Sequence, residues 1–119
     1  MRRGDDRGQA TVELALVLPI LVLLLGGIVW IGNLMATQVQ LEHAAREGAR
    51  AAAVEPGAAA PLAAAAVDRI DADFTATTSV GAEFVRVEVR TTLAGVPILG
   101  VGAHTLRADV SMRREDLLN

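Results

Sequence analysis

At 119 residues the chain is long enough for one small domain, and its 52% hydrophobic content rests on aliphatic residues and alanine, since only 3% is aromatic. A net charge of -3, with the basic residues scattered among carboxylates, excludes a nucleic-acid face, which needs clustered cations against phosphate. The absence of Cys and of Lys removes disulfides, thiolate metal sites, Schiff-base chemistry and the lysine of a phosphate loop.

From Leu14 to Ile31 no side chain is charged. As a helix these residues run for about 27 Å, enough to cross the hydrocarbon of a bilayer, so the run predicts a single transmembrane span. Pro19 falls near its start, where a kink is tolerable, and Gly26, Gly27 and Gly32 are the small residues common in membrane helices. Arg2, Arg3 and Arg7 precede the span, and the next basic residue, Arg46, lies about 15 residues beyond it. That asymmetry places the N-terminus in the cytoplasm and the C-terminal part outside it. A cleaved secretory signal fits less well: the apolar run is longer than such signals carry, and a cut after Ala36 would put the bulky Leu34 where a small residue is needed.

Beyond the span the helical pattern continues to Val54 and becomes amphipathic. At 100° per residue Glu42, His43, Arg46, Glu47 and Arg50 share a sector of roughly 140°, while Leu41, Ala44, Ala45, Gly48, Ala49 and Ala52 fall opposite. The charged sector reads as a solvated face with i,i+4 and i,i+3 pairs. The small-residue sector reads as a packing face, either against the chain's own sheet, which is the preferred reading, or against a neighbouring subunit. No breaker separates span from amphipathic segment, so residues 9–54 are expected to form one helix of about 45 residues.

Pro56 and Gly57 end that helix. A short second helix is expected over about residues 61–72, with Pro61 in its first turn and Leu62, Ala66, Val67 and Ile70 at helical spacing. The period then changes to two. Val85, Val87 and Val89 alternate with Phe84, Arg86, Glu88 and Arg90, and Leu106, Ala108, Val110 and Met112 alternate with Arg107, Asp109, Ser111 and Arg113. Together with a weaker strand in "FTATTSV" these give a small antiparallel sheet of about three strands. The fold class is α+β: a long N-terminal helix, a short helix and this small sheet. The connection "LAGVPILGVGAH" is apolar, and either packs under the long helix, the preferred reading, or is exposed to a partner or the membrane surface.

Chemistry-bearing patterns are sparse. Gly95, Gly100 and Gly102 lack phosphate-loop spacing. His43 and His104 stand apart with no carboxylates at ligand spacing, and Asp68, Asp71 and Asp73 lack the glycine and terminal Glu of a calcium loop, so they read as a solvated helix end. Ser79 and Ser111 have no nucleophile-elbow context. The expectation is a protein that is not an enzyme, with no metal, no cofactor and no small-molecule substrate.

Glu13, at the threshold of the apolar run, has two readings. It either marks the membrane interface, where a negative charge suits the first turn of a helix, or it belongs to a signal. In "RGQATVE" a short basic leader ends in Gly8, and Glu13 is the fifth residue after it, directly before the apolar helix. This arrangement resembles the signal of type IV pilins and pseudopilins. Residues 7–54, with the "AAREGARAAAV" helix behind the span, look like the TadE-like family of tight-adherence (Flp) pilus pseudopilins. One departure is Leu14, where many such signals carry Phe or Tyr.

The resemblance implies a pilin-like fold and a cytoplasmic leader, residues 1–8, cut by a prepilin peptidase after Gly8. It implies a transmembrane and amphipathic stem, residues 9–54, beginning at Gln9, and a small extracytoplasmic α+β domain, residues 55–119. Glu13 becomes the assembly residue, and Leu41, Ala45, Gly48, Ala49 and Ala52 the helix-packing face. The implied partners are the membrane, the peptidase, other pilin or pseudopilin subunits and the assembly platform, with incorporation into a pilus in a bacterial envelope. The alternative is an uncleaved single-pass anchored interaction module of an envelope complex, indifferent to Glu13.

Overall fold

The structure, a computed structural model, describes residues 3–118; Met1 and Arg2 of the expected leader and Asn119 at the other end lie outside the described residues. Helix α1 runs without a break over Arg3–Val54, 52 residues, about 78 Å at the usual rise. It exceeds the expected 45 residues because helical geometry continues back through the leader. The chain measures 91 × 21 × 21 Å with a radius of gyration of 23.7 Å, against about 13–14 Å for a globule of this length. The lower part of α1 therefore extends well beyond the rest, a largely bare stem below a small head.

The head is α+β, as the change of period predicts. A 3-10 turn over Pro56–Ala58 reverses the chain into α2, Ala59–Asp68. This helix begins earlier and ends earlier than the expected 61–72. It begins earlier because the first-turn N–H groups have no intrahelical acceptor, so Pro61 is tolerated as the third residue as well as the first. It ends earlier because the chain tightens after Asp68, with Ile70 N–H donating to the Val67 carbonyl at 3.0 Å. That turn brings Phe74, only 5% exposed, onto the core.

Strands β1 (Thr75–Val80), β2 (Phe84–Leu93) and β3 (His104–Arg113) form an antiparallel sheet in the order β1-β2-β3. Their register aligns Val85 with Val80 and Met112, Val87 with Thr78 and Val110, and Val89 with Ala76 and Ala108, so one face gathers the apolar set. Val85, Val87 and Val89 are fully buried there. The opposite face is charged. Glu88 stands across from Asp109 and Arg90 across from Arg107, like charge facing like. Neighbouring opposite charges relieve both pairs: Arg86 donates to its diagonal partner Asp109 at 2.8 Å, and Arg90 donates to Glu88 two residues back on the same strand. These exposed bridges contribute at most about 1 kcal/mol each, so they define the sheet's wet side more than its stability.

The core is the slab between this sheet, α2 and the upper half of α1. Leu41, Ala44, Ala45, Ala49 and Ala52 are all fully buried. Small side chains on α1 allow the close approach: a Cβ on Gly48 would meet Val67 Cγ2 and Val87 Cγ1 at 3.2 Å each, and the Ala63 carbonyl oxygen at 3.6 Å. The helix touches α2 and the sheet at the same residue. No described side-chain polar atom is buried without a partner, so the head meets the requirement that desolvated polar groups be bonded.

Candidate functional site: an exposed stem beneath a packed head

Gly8, Gln9 and Glu13 all lie on α1, on turns that touch nothing else in the chain. Each is exposed, and a Cβ at Gly8 would meet nothing within 4 Å. Gln9 and Glu13 are four residues apart, so they project from nearly the same face of α1, about 6 Å apart along the axis. Thr11 Oγ1 donates to the Arg7 carbonyl at 2.8 Å, tightening the turn around Gly8. Nothing within the chain compensates the charge of Glu13 among the described residues.

Directly above Glu13 the stem is apolar all round. Its most apolar 18-residue window has a mean hydropathy of 2.8 and no buried residue. Leu16 is 69% exposed and Val29 70%. Leu14, Ile20, Leu24 and Ile28 are similarly bare. Burying one such side chain is worth roughly 1.5–3 kcal/mol, so a stem of this length cannot remain bare in water. Its length and composition fit a single-pass membrane anchor. Pro19 sits in this stretch without interrupting the helix, although its missing N–H leaves the Ala15 carbonyl without its usual donor. A Cβ at Gly26, Gly27 or Gly32 would meet nothing within 4 Å, so these glycines serve no packing inside the chain.

The residues of the expected packing face are placed against the head: Leu41, Ala45, Gly48, Ala49 and Ala52 are buried beneath α2 and the sheet. Ala63, Val67 and Phe74 complete that contact. Val67 stands out in the sequence by its helical spacing, whereas the burial of Ala63 and Phe74 depends on where the second helix and its following turn are laid.

Asp71 Oδ1 accepts the Asp73 N–H at 2.9 Å, a local turn that ends the α2 region. His43 and His104 are both exposed and lie on different elements. An open groove of about 630 Å³ runs between α1 and the sheet, lined by Thr37, Gln40, Asp71, Asp73, Arg90 and Thr105 among others. No group of three acidic, His or Cys residues able to hold a metal ion occurs among the described residues.

Three contacts of the head escaped the sequence pattern. Arg114 donates to Asp116 through Nη2 at 2.7 Å and Nε at 3.1 Å, while its Nη1 reaches the Gly81 carbonyl at 3.1 Å and its backbone N–H the Glu83 carbonyl at 2.9 Å. The hydrogen bond to Arg114 holds the Asp116 carboxyl below the usual aspartate range, and the same bond raises the already high pKa of Arg114. At the junction of stem and head, Trp30 packs against His104 with ring centroids 5.6 Å apart, edge to face, and Nε1 makes a long 3.5 Å bond to the Ala94 carbonyl. The apolar connection from Leu93 to His104 is the third. It lies along the stem, not under the packed half of α1, and Ile98 at its tip is 80% exposed, so the expected cover is only partial.

A long helix, bare and apolar below and packed into an α+β head above, fits the class of single-pass membrane-anchored proteins in which stem and head share one helix. Residues 8–50 match the family model of TadE-like protein, the family that the Gly8-to-Glu13 spacing and the alanine-rich helix resemble. The match associates the chain with the tight-adherence pilus system. It covers the stem from Gly8 through the packing face and stops short of the sheet. No curated protein and no solved structure matches the chain.

Proposed function

We propose that this chain is a minor pilin or pseudopilin of a tight-adherence pilus, a non-enzymatic subunit whose stem crosses the membrane with its N-terminus in the cytoplasm. The observation that carries this reading is the continuity of α1. One helix holds Gly8 and Glu13 at its base, an unburied apolar stretch above them, and the packed head at its top. A prepilin peptidase hydrolyses the bond after Gly8, leaving Gln9 as the new N-terminus. Gly8 is a weak point in the helix, costing about 1 kcal/mol relative to Ala, so the backbone there opens for a protease more readily than its neighbours.

Glu13 is then the assembly residue. A carboxylate at the edge of hydrocarbon is costly, roughly 3 kcal/mol on insertion scales where fully immersed. The ammonium of a neighbouring subunit's Gln9 offsets that cost, and the pair fixes the axial register of one stem against the next. The stem's bare surface is the area that lipid covers before assembly and neighbouring stems cover afterwards.

The test is the intact mass of the protein recovered from its own cell envelope, together with pilus assembly by a Glu13→Ala variant. Loss of residues 1–8, with assembly abolished in the variant while membrane insertion is retained, is the expected result. A retained leader and normal assembly in Glu13→Ala would refute the reading and leave an uncleaved anchored module.

A further inference from the structure

The connection between β2 and β3 sits in an unusual place. Strand β3 runs alongside α1 in the same direction, with His104 beside Trp30 and Gln38 Nε2 donating to the Arg107 carbonyl at 3.3 Å. The β2–β3 hairpin therefore points down the stem. Its tip, Ile98, shares an apolar groove of about 370 Å³ with Leu18, Pro19, Val22 and Leu23. Those residues precede Ile31, the last bulky apolar residue before the polar Asn33, by 8 to 13 positions, or about 12–20 Å along the axis. The tip therefore lies beside the middle of the 18-residue span read from the sequence, Leu14 to Ile31.

The chemistry of the loop suits that depth. From Leu93 to Ala103 every residue is apolar, glycine or proline, and polar side chains begin at once on either side with Thr92 and His104. Irregular backbone that faces hydrocarbon is costly wherever its N–H and C=O groups are unbonded. Three of the loop's N–H groups are bonded within it, which lowers that cost in part: Leu99 and Val101 N–H both donate to the Val96 carbonyl, at 2.9 and 3.2 Å, and Gly100 N–H to the Pro97 carbonyl at 3.0 Å; Pro97 itself has no N–H to satisfy. The shape is specified as well. A Cβ on Gly95 would lie 2.2 Å from the Val101 carbonyl oxygen, so the two arms touch backbone to backbone, and Gly100 takes φ +69° to close the turn. Trp30 stands where the loop leaves the head, at the level where an indole with an apolar body and a polar edge sits in a membrane interface.

We propose that the loop over residues 93–103 is a lipid-dipping hairpin that enters the outer half of the bilayer beside the stem and presents Ile98 to acyl chains. The proposal rests on the reading of α1 as a membrane anchor with the head outside the cytoplasm. It makes the head a second, independent membrane contact. The head is thereby held upright and against the surface, and departure from the membrane requires withdrawal of the loop as well as the stem.

The chain has no Cys, so single thiols can be placed without background. Full-length Ile98→Cys, Val22→Cys and Ser79→Cys proteins, each carrying an environment-sensitive fluorophore, are reconstituted at low density in phosphatidylcholine–phosphatidylglycerol vesicles containing lipids with mid-chain nitroxides. The expected result is loss of most emission at positions 22 and 98 and little loss at 79. Quenching at 22 with none at 98 overturns the loop proposal and leaves the anchor intact; no quenching at 22 overturns the anchor and the proposal together. Quenching at 98 that vanishes as protein density rises identifies a second copy as the preferred cover and also overturns it. As an independent check, a charge at the tip is disfavoured in hydrocarbon by about a hundredfold, so Ile98→Asp should abolish quenching of a probe at Leu99→Cys while quenching at Val22→Cys persists.

Discussion

Gly48 is the position at which the packing of the head can be tested most directly. It lies on α1 facing both α2 and the sheet, and a Cβ there would sit 3.2 Å from methyls of Val67 and Val87. Replacement by Ala brings two opposed terms. Helix propensity gains about 0.8–1.0 kcal/mol over Gly, and two tight contacts require the valines to move by a few tenths of an ångström. The two terms should roughly cancel, leaving Gly48→Ala close to neutral. Gly48→Val adds two further carbons into the same space while recovering less propensity, so overpacking of about 1–3 kcal/mol dominates. The sole tryptophan, Trp30, reports on the junction of head and stem, so urea or thermal unfolding of the detergent-solubilised full chain can be followed by its fluorescence. The midpoint should fall by about 4–8 °C for each kcal/mol lost. Val67→Ala removes one of the opposing methyl pairs and should partly rescue Gly48→Val, with a coupling of about 0.5 kcal/mol or more in a double-mutant cycle. A Gly48→Val protein as stable as the parent, or strict additivity of the two substitutions, would refute the claim that α1, α2 and the sheet meet at this glycine.

Gly95→Ala should unseat the β2–β3 loop, since its Cβ would lie 2.2 Å from the Val101 oxygen; amide exchange at residues 96–101 should accelerate while exchange in β2 and β3 near Val87 stays slow. Asp116 supplies a pH dependence whose direction is determined by its lowered pKa. A carboxyl lowered in the folded state adds stability above the ordinary aspartate value near 3.8, and that stability is lost as pH falls from there through the folded value. Asp116→Asn should therefore flatten the acid limb of the unfolding curve. Arg114 would keep its Gly81 and Glu83 contacts, so the variant should still fold at neutral pH.

Much of this protein is decided locally and is therefore legible in the chain. Eighteen uncharged residues have no alternative to a helix that lipid or other apolar surfaces cover, because no soluble core of this size can hold them. The alternation in β2 and β3 commits one face of each strand to the core, since a slip by one residue would expose every valine. The Gly8-to-Glu13 spacing, too, depends on order along one helix and on nothing distant. What only the tertiary structure decided is which surfaces meet. The small residues of α1 declare that something approaches closely, but whether that is the chain's own head or another subunit depends on the path of α2. That path turns at Asp68 to bury Phe74, contrary to a reading that carried the helix to residue 72. The loop from Leu93 to Ala103 shows the same division. Its composition makes it apolar, whereas the direction of the β2–β3 hairpin along α1 places it against the stem, because β3 is held parallel to the helix by contacts such as Trp30 with His104 that lie 74 residues apart in the chain. Periodicity and composition are properties of neighbours in sequence; the depth of a loop beside a membrane stem follows from long-range packing.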